Sequence, residues 1–149
     1  MTNEPKKLCA EALSKVLANT YFLYLKTHNY HWNVEGANFQ TLHAMFELQY
    51  TDMWTAIDEI AERIRALGEP APGTHAKFAK LASIKENETI PNASQMLQEL
   101  VADNTALAAI LAEAIRTVQD AGDEPSAGLL TDRQTMHEKQ AWMMRAMLG

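Results

Sequence analysis

The stretch HWNVEGANFQTLHAMFELQYTDMWTAIDEIAERI, residues 31 to 64, decides how this chain is read. Taken at about 100° per residue from His43, the side chains of Phe39, Leu42, Phe46, Met53, Ile57, Ile60 and Ile64 fall between roughly −100° and −40°. That narrow apolar stripe is the seam of a long helix packed in a bundle. His43, Glu47, Asp58 and Glu62 fall at roughly 0°, 40°, 60° and 100° on the same helical wheel, so four metal-competent side chains share a second stripe outside the seam.

Outward from this helix the boundaries are legible. Asn38 is placed as its N-cap, and Gly68 followed by Pro70 and Pro72 ends it after Leu67. Upstream, Leu8, Leu13, Val16, Leu17, Thr20, Leu23 and Tyr24 recur at helical spacing towards Trp32, and Gly36 marks the break between the first two helices. Downstream, the segment from Glu69 to Asn92 is too long for a tight turn and carries a short helix from His75 to Ala82. A third helix runs from about Ser94 to Gly122 through Leu97, Leu100, Leu107, Leu111 and Ile115, and a fourth begins at Pro125, which suits a first turn. The expected fold is all-α: one domain spanning residues 1–149, a four-helix bundle with a long crossover between its second and third long helices.

Composition agrees. The chain has 149 residues, 47% hydrophobic and 21% charged, with 6 Gly and 5 Pro, and no segment alternates like a strand. Its single Cys9 forms no internal disulfide and reads as a small core residue. No segment approaches the roughly 18 apolar residues of a membrane span, so a cytoplasmic location is expected, with the nucleoid as the other option. The formal charge of −6, from 13 basic and 19 acidic residues, argues against a DNA-coating surface and favours cations as partners.

One helix cannot gather its four ligands. His43 and Glu62 are separated by some 28 Å along the axis at about 1.5 Å per residue, far beyond metal-bond reach. Positions 43 and 62, and 47 and 58, nevertheless share one midpoint, between Asp52 and Met53. Two copies of the helix packed antiparallel about a two-fold there bring His43 opposite Glu62 of the partner subunit, and Glu47 opposite Asp58 of the partner subunit, in two identical clusters. His31, at the end of the first helix, is free to add an imidazole. Imidazole and carboxylate ligands without thiolate suit iron, manganese or zinc, and bridging carboxylates suit paired irons passing to Fe(III). A solvated helix face explains the same quartet, and spacing alone leaves both readings open.

The pattern His31-Trp32-Asn33 with Gly36, Phe39 and His43, followed by Asp58, Ala61, Glu62 and Arg63, resembles the Dps miniferritins, the DNA-binding proteins from starved cells. Weaker similarity extends along nearly the whole chain and includes Trp142. The resemblance implies a ferritin-like fold, a twelve-subunit shell built from two-fold dimers, and ferroxidase activity at di-iron sites shared between subunits. Fe(II) would be oxidised to Fe(III), preferably by hydrogen peroxide, and stored as ferric mineral. It also implies that His31 with Asp58 and Glu62 of the partner subunit hold the tighter iron while His43 and Glu47 help to hold the second, with zinc or manganese as competitors. Trp32 is a candidate for quenching a stray oxidising equivalent, or an aromatic packing plug.

His28, one turn before His31, is expected as a satisfied, buried histidine, the other reading being a hydrogen-bond partner behind the metal ligands, and Asp120, Asp123, Glu124 and Asp132 are candidates for lining the family's iron-entry pores, or for a solvated turn. DNA binding in the family relies on a basic tail, yet only Lys6 and Lys7 precede the first expected helix and the C-terminal MMRAMLG has one arginine; little or no DNA binding at physiological salt follows. Two alternatives stand beside this reading. A bundle-centred di-iron oxidase would use two Glu-x-x-His motifs, of which the chain has none. A non-enzymatic shell or nucleoid-associated structural protein would have lost its ligands, whereas His31, His43, Asp58 and Glu62 are intact.

Overall fold

The computed structural model describes all 149 residues. Five helices follow one another: α1 (Asn3–Asn33), α2 (Phe39–Ala66), α3 (His75–Leu81), α4 (Ala93–Asp120) and α5 (Glu124–Leu148). The long helices pack as two hairpins, α1 with α2 and α4 with α5; α1 also lies on α4, and α3 rests on α1 within the crossover. This is the expected all-α four-helix bundle with its short crossover helix. No helix is long and apolar enough to cross a membrane.

Helix ends follow local chemistry. At the end of α2 the amide of Gly68 donates to Arg65 and that of Glu69 to Ile64; at the end of α4 the amide of Gly122 donates to Gln119 and that of Asp123 to Val118. This is the same double closure at both ends, and it needs a left-handed residue, supplied by Gly68 at φ 90° and Gly122 at φ 75°. The start of α4 carries a capping box formed by Asn92 and Gln95. Two expectations need correction. Asn38 occupies the N-cap position of α2, but its side chain caps nothing. The first helix begins at Asn3 rather than near Leu8, because Pro5 is tolerated in a first turn, and Lys6 and Lys7 are therefore helical.

The core is continuous along the bundle. Leu13, Val16, Leu17, Leu23 and Tyr30 of α1 meet Leu42, Phe46, Met53, Ile60 and Ile64 of α2, with Met96, Leu100, Leu107 and Leu111 of α4 and Leu130 and Met144 of α5. Of the stripe read from sequence, Phe39 stays exposed and Ile57 half-buried, since both lie at its edge. Cys9 is fully buried; burial and the neighbouring Asp123 push its thiol pKa up, which leaves it inert. The crossover is pinned to α1 by buried Asn19, whose Oδ1 accepts the amides of Ser83 and Ile84 at 2.9 and 3.0 Å. Lys26 of α1 pairs with Asp103 at 2.8 Å and Glu99 at 3.2 Å on α4, and the Tyr30 hydroxyl donates to Glu99 at 2.6 Å.

One polar layer crosses the bundle. Arg133 of α5 donates two bonds, at 2.8 and 3.2 Å, to the Asp52 carboxylate on α2 and a third, at 3.2 Å, to Nε2 of His137. Since a guanidinium only donates, His137 carries its proton on Nδ1 and donates it to Asn104 of α4 at 2.8 Å. Burial and the Arg133 charge push the His137 pKa from 6.5 down to about 3. In the unfolded chain this imidazole protonates below its ordinary pKa, whereas in the folded chain it stays neutral, so its contribution is complete above pH 6.5 and is lost as pH falls towards 3. Denaturant stability of the wild type is expected to fall through that window, and His137→Gln to show a shallower fall there; equal slopes would remove His137 as the source.

Asp123 is a second buried anchor. Its carboxylate caps α5 through Ser126 and accepts from Arg63 of α2 at 2.9 Å. Burial pushes its pKa up, but the bonds from Ser126 and the Arg63 charge outweigh that and hold it below the usual carboxylate range. Asp123→Ala is expected to cost about 2 kcal/mol in urea unfolding through the lost cap and buried pair. Asp120→Ala and Glu124→Ala, at exposed positions, should stay within about 0.5 kcal/mol.

Candidate metal centre

His31 stands in the last turn of α1 and His43 in the second turn of α2, and the hairpin sets their rings face to face, centroids 3.8 Å apart and planes 14° from parallel. The carbonyl of His31 belongs to the orphaned set at a helix C-terminus, and the Nδ1 of His43 satisfies it at 2.7 Å. The exchange is mutual: Nδ1 of His31 bonds the carbonyl of His43, also at 2.7 Å. Carbonyls accept only, so each Nδ1 bears a hydrogen, and in the neutral ring Nε2 is the nitrogen that keeps a lone pair. Phe39 stacks on the outer side of His43 at 5.0 Å, and Tyr50 meets His31 edge-on at 5.1 Å, which fixes the rings in place. His31 is 6% exposed.

Glu47, one turn beyond His43 on α2, places Oε1 3.9 Å from Nε2 of His31. With the imidazole in its neutral form both atoms present electron pairs to the space between them, an arrangement that a cation relieves. Asp58 and Glu62 are exposed on α2 further along the helix. Within one subunit no group of three His, Cys, Asp or Glu side chains is placed to hold a metal ion. The chain thus brings His31 beside His43 and Glu47 and leaves Asp58 and Glu62 at a distance from them.

Around this pair lies an aromatic cluster. His28 stacks on Tyr50 at 3.8 Å and lies tilted by 32° against Trp32 at 4.0 Å, and its Nδ1 bonds the Tyr24 hydroxyl at 3.0 Å. Burial and the nearby His31 lower its pKa. His28 is therefore satisfied as expected, though half-buried rather than buried, and makes no hydrogen bond to His31. Trp32 is 59% exposed in the subunit. Among the pore candidates, Asp120, Glu124 and Asp132 are exposed, but Asp123 is not available as a pore lining: its side chain is enclosed by Arg63 and Ser126 as the cap of α5. Sequence reasoning missed the mutual histidine–carbonyl bonds, for which the only trace is that the two histidines flank a short break at Gly36.

Comparison with known proteins identifies the family. Residues 10–149 fit the ferritin-like domain family. A Bacillus anthracis relative, DNA protection during starvation protein 2, is 38% identical over 96% of this chain and 98% of its own length. The crystal structure of a Dps protein from Bacillus brevis superimposes with a TM-score of 0.96 at 38% identity, covering all of both chains. The Vibrio cholerae Dps structure, described as a member of a broad superfamily of ferritin-like diiron-carboxylate proteins, gives 0.95 at 34% identity over 100% of this chain and 94% of that one. With its bundle, crossover helix and histidine pair in place, the chain belongs to the Dps miniferritins of the ferritin-like superfamily.

Proposed function

We propose that this protein is a ferroxidase that stores iron and protects against peroxide, oxidising Fe(II) at di-iron sites formed between two subunits. The observation that carries the reading is the pair of imidazoles locked through Nδ1, whose Nε2 atoms are left free of protein hydrogen bonds, with Glu47 beside His31. Holding the tautomer through Nδ1 is how a metal-ligating histidine is commonly prepared. Two α2 helices related by a two-fold between Asp52 and Met53 would complete each site with Asp58 and Glu62 of the partner subunit, and the exposure of both carboxylates leaves them available for it.

In this reading His31 with Asp58 and Glu62 of the partner subunit bind the tighter ferrous ion, and His43 with Glu47 the second. Carboxylates favour the ferric product, and two ferrous ions together supply both electrons needed to cleave the O–O bond of hydrogen peroxide to water, so that no hydroxyl radical leaves the site. The ferric product is kept as mineral inside a hollow homo-oligomer, a dodecamer of two-fold dimers, with zinc or manganese competing for the same ligands. DNA association is weak at most, since Lys6 and Lys7 lie within α1 rather than on a basic tail and the net charge is −6. The setting is cytoplasmic, in free solution or at the nucleoid.

Asp58→Ala with Glu62→Ala should leave the helix content unchanged, because both side chains are off the seam, and should reduce peroxide-driven iron oxidation to the protein-free rate. It is read by anaerobic Fe(II) loading, then peroxide or air, with ferric absorbance and spin-trapped hydroxyl radical recorded. An unchanged rate would overturn the site, whereas a wild-type rate no better than the protein-free control would bring forward the non-enzymatic shell. The two-fold is tested separately through Trp54, which is 65% exposed and lies on the proposed dyad face. Trp54→Arg is expected to break the dimer, seen as a smaller mass in light scattering, and to abolish fast oxidation with it; an intact, active assembly would refute the antiparallel α2 pairing.

A further inference from the structure

Beside the histidine pair a surface cavity of about 290 Å³ opens between α1 and α2, lined by Tyr24 and His28 of α1 and by Tyr50, Thr51 and Trp54 of α2. Its walls are aromatic and mutually braced: the Tyr24 ring lies 5.5 Å from Trp54 and 6.3 Å from Tyr50, and His28 stacks on Tyr50 at 3.8 Å. No Asp, Glu, Lys or Arg lines the cavity, although exposed Glu47 and Asp58 stand on the same stripe of α2 to either side of it. An uncharged aromatic hollow between charged flanks has the composition of an interface centre with a polar rim. Trp54 is 65% exposed and already forms one wall, so it cannot fill the cavity of its own subunit.

Position along α2 identifies the occupant. On the helical wheel Trp54 falls at roughly 20° and Thr51 at roughly 80° from His43, both inside the ligand stripe. The two residues are equally far from the midpoint between Asp52 and Met53, so the two-fold proposed for α2 brings Trp54 of the partner subunit level with Thr51, about 4.5 Å along the axis from this subunit's own Trp54. A two-fold perpendicular to both helices keeps a given residue on the same side of the interface, and Trp54 is on the side of α1, against Tyr24. The incoming indole therefore arrives where the cavity opens. We propose that Trp54 of the partner subunit seats in this cavity, between the subunit's own Trp54 and Tyr50, and holds Tyr50 and His28 against His31. Tyr50 meets His31 edge-on at 5.1 Å and carries His28 on its face, so a ring wedged against it restrains that ligand. The Thr51 hydroxyl, at the edge of the cavity, accepts the indole N–H. Trp54 is thus a positioning residue that each subunit lends to the iron centre of the other, an assignment that rests on the two-fold reading of α2.

With Trp32→Phe and Trp142→Phe together, Trp54 is the one indole left in the full chain. In the assembly its emission should lie to the blue of free tryptophan and resist acrylamide; quenching as fast as free tryptophan would overturn the seat. The two-fold is read separately, from the disulfide that Glu47→Cys with Asp58→Cys forms between subunits on oxidation. Crosslinked subunits with an accessible Trp54 would refute the seat alone, whereas absence of the crosslink would refute the two-fold and the seat with it. Positioning is read with Co(II) as the probe of the metal centre. Trp54→Ala leaves a void at the interface rather than a charge, and should weaken Co(II) binding about 10-fold and alter its d–d bands. Added indole, filling the void, should restore both, and should restore the mass in light scattering where Trp54→Ala loosens the assembly. Unaltered d–d bands in an assembled Trp54→Ala protein, or no recovery with indole, would overturn the positioning role.

Discussion

The two hydrogen bonds exchanged between His31 and His43 hold the functional end of this molecule together. Each histidine satisfies the other's backbone carbonyl at 2.7 Å, and in doing so closes the frayed end of α1 onto the second turn of α2. The same pair of bonds sets the side-chain chemistry: with both Nδ1 atoms committed as donors, Nε2 is the acceptor nitrogen of each neutral ring. A contact that at first serves the hairpin thus also fixes the tautomer of two candidate ligands, and Phe39 and Tyr50 hold the rings against rotation. Losing either histidine would loosen the helix junction as well as remove a donor.

Helix α2 has to satisfy several faces at once. Its seam carries Leu42, Phe46, Met53, Ile60 and Ile64 into the core, its second stripe carries the candidate ligands, and its third flank carries Gln49 and Asp52 towards α5. A helix that shares its circumference in this way needs firm anchoring, because a small rotation would misplace every stripe. Arg63 provides one anchor through buried Asp123 at the start of α5, and Asp52 another through Arg133, which passes the connection on to His137 and Asn104. These polar ties lie about three turns apart on α2, so that its orientation is fixed at two levels.

The Dps relationship and the structure inform different parts of the chemistry. The family places the subunit among ferritin-like proteins, and the exposed Asp58 and Glu62 stand apart from His31, His43 and Glu47 within one subunit. The acidic turn between α4 and α5 separates by burial: Asp120 and Glu124 face solvent, whereas Asp123 is structural. In sequence all three look alike, because a carboxylate's partner, rather than its identity, determines whether it caps a helix or meets a passing ion.

The number, order and approximate ends of the helices were legible in the chain, since they depend on local forces: a 3.6-residue apolar period, glycine where a left-handed residue closes a helix, proline in a first turn. The ligand stripe of His43, Glu47, Asp58 and Glu62 was legible for the same reason, being a property of one helix. The contacts joining residues distant along the chain were not: Asp52 with Arg133, Asn104 with His137, Arg63 with Asp123, and the cavity between α1 and α2 depend on how helices dock. Even His31 and His43, only a short break apart, show no sign in sequence that each will bond the other's carbonyl. Periodicity fixes where a side chain points around its own axis, but partner, burial and protonation depend on what the neighbouring helix places opposite, and only the packed bundle decides that.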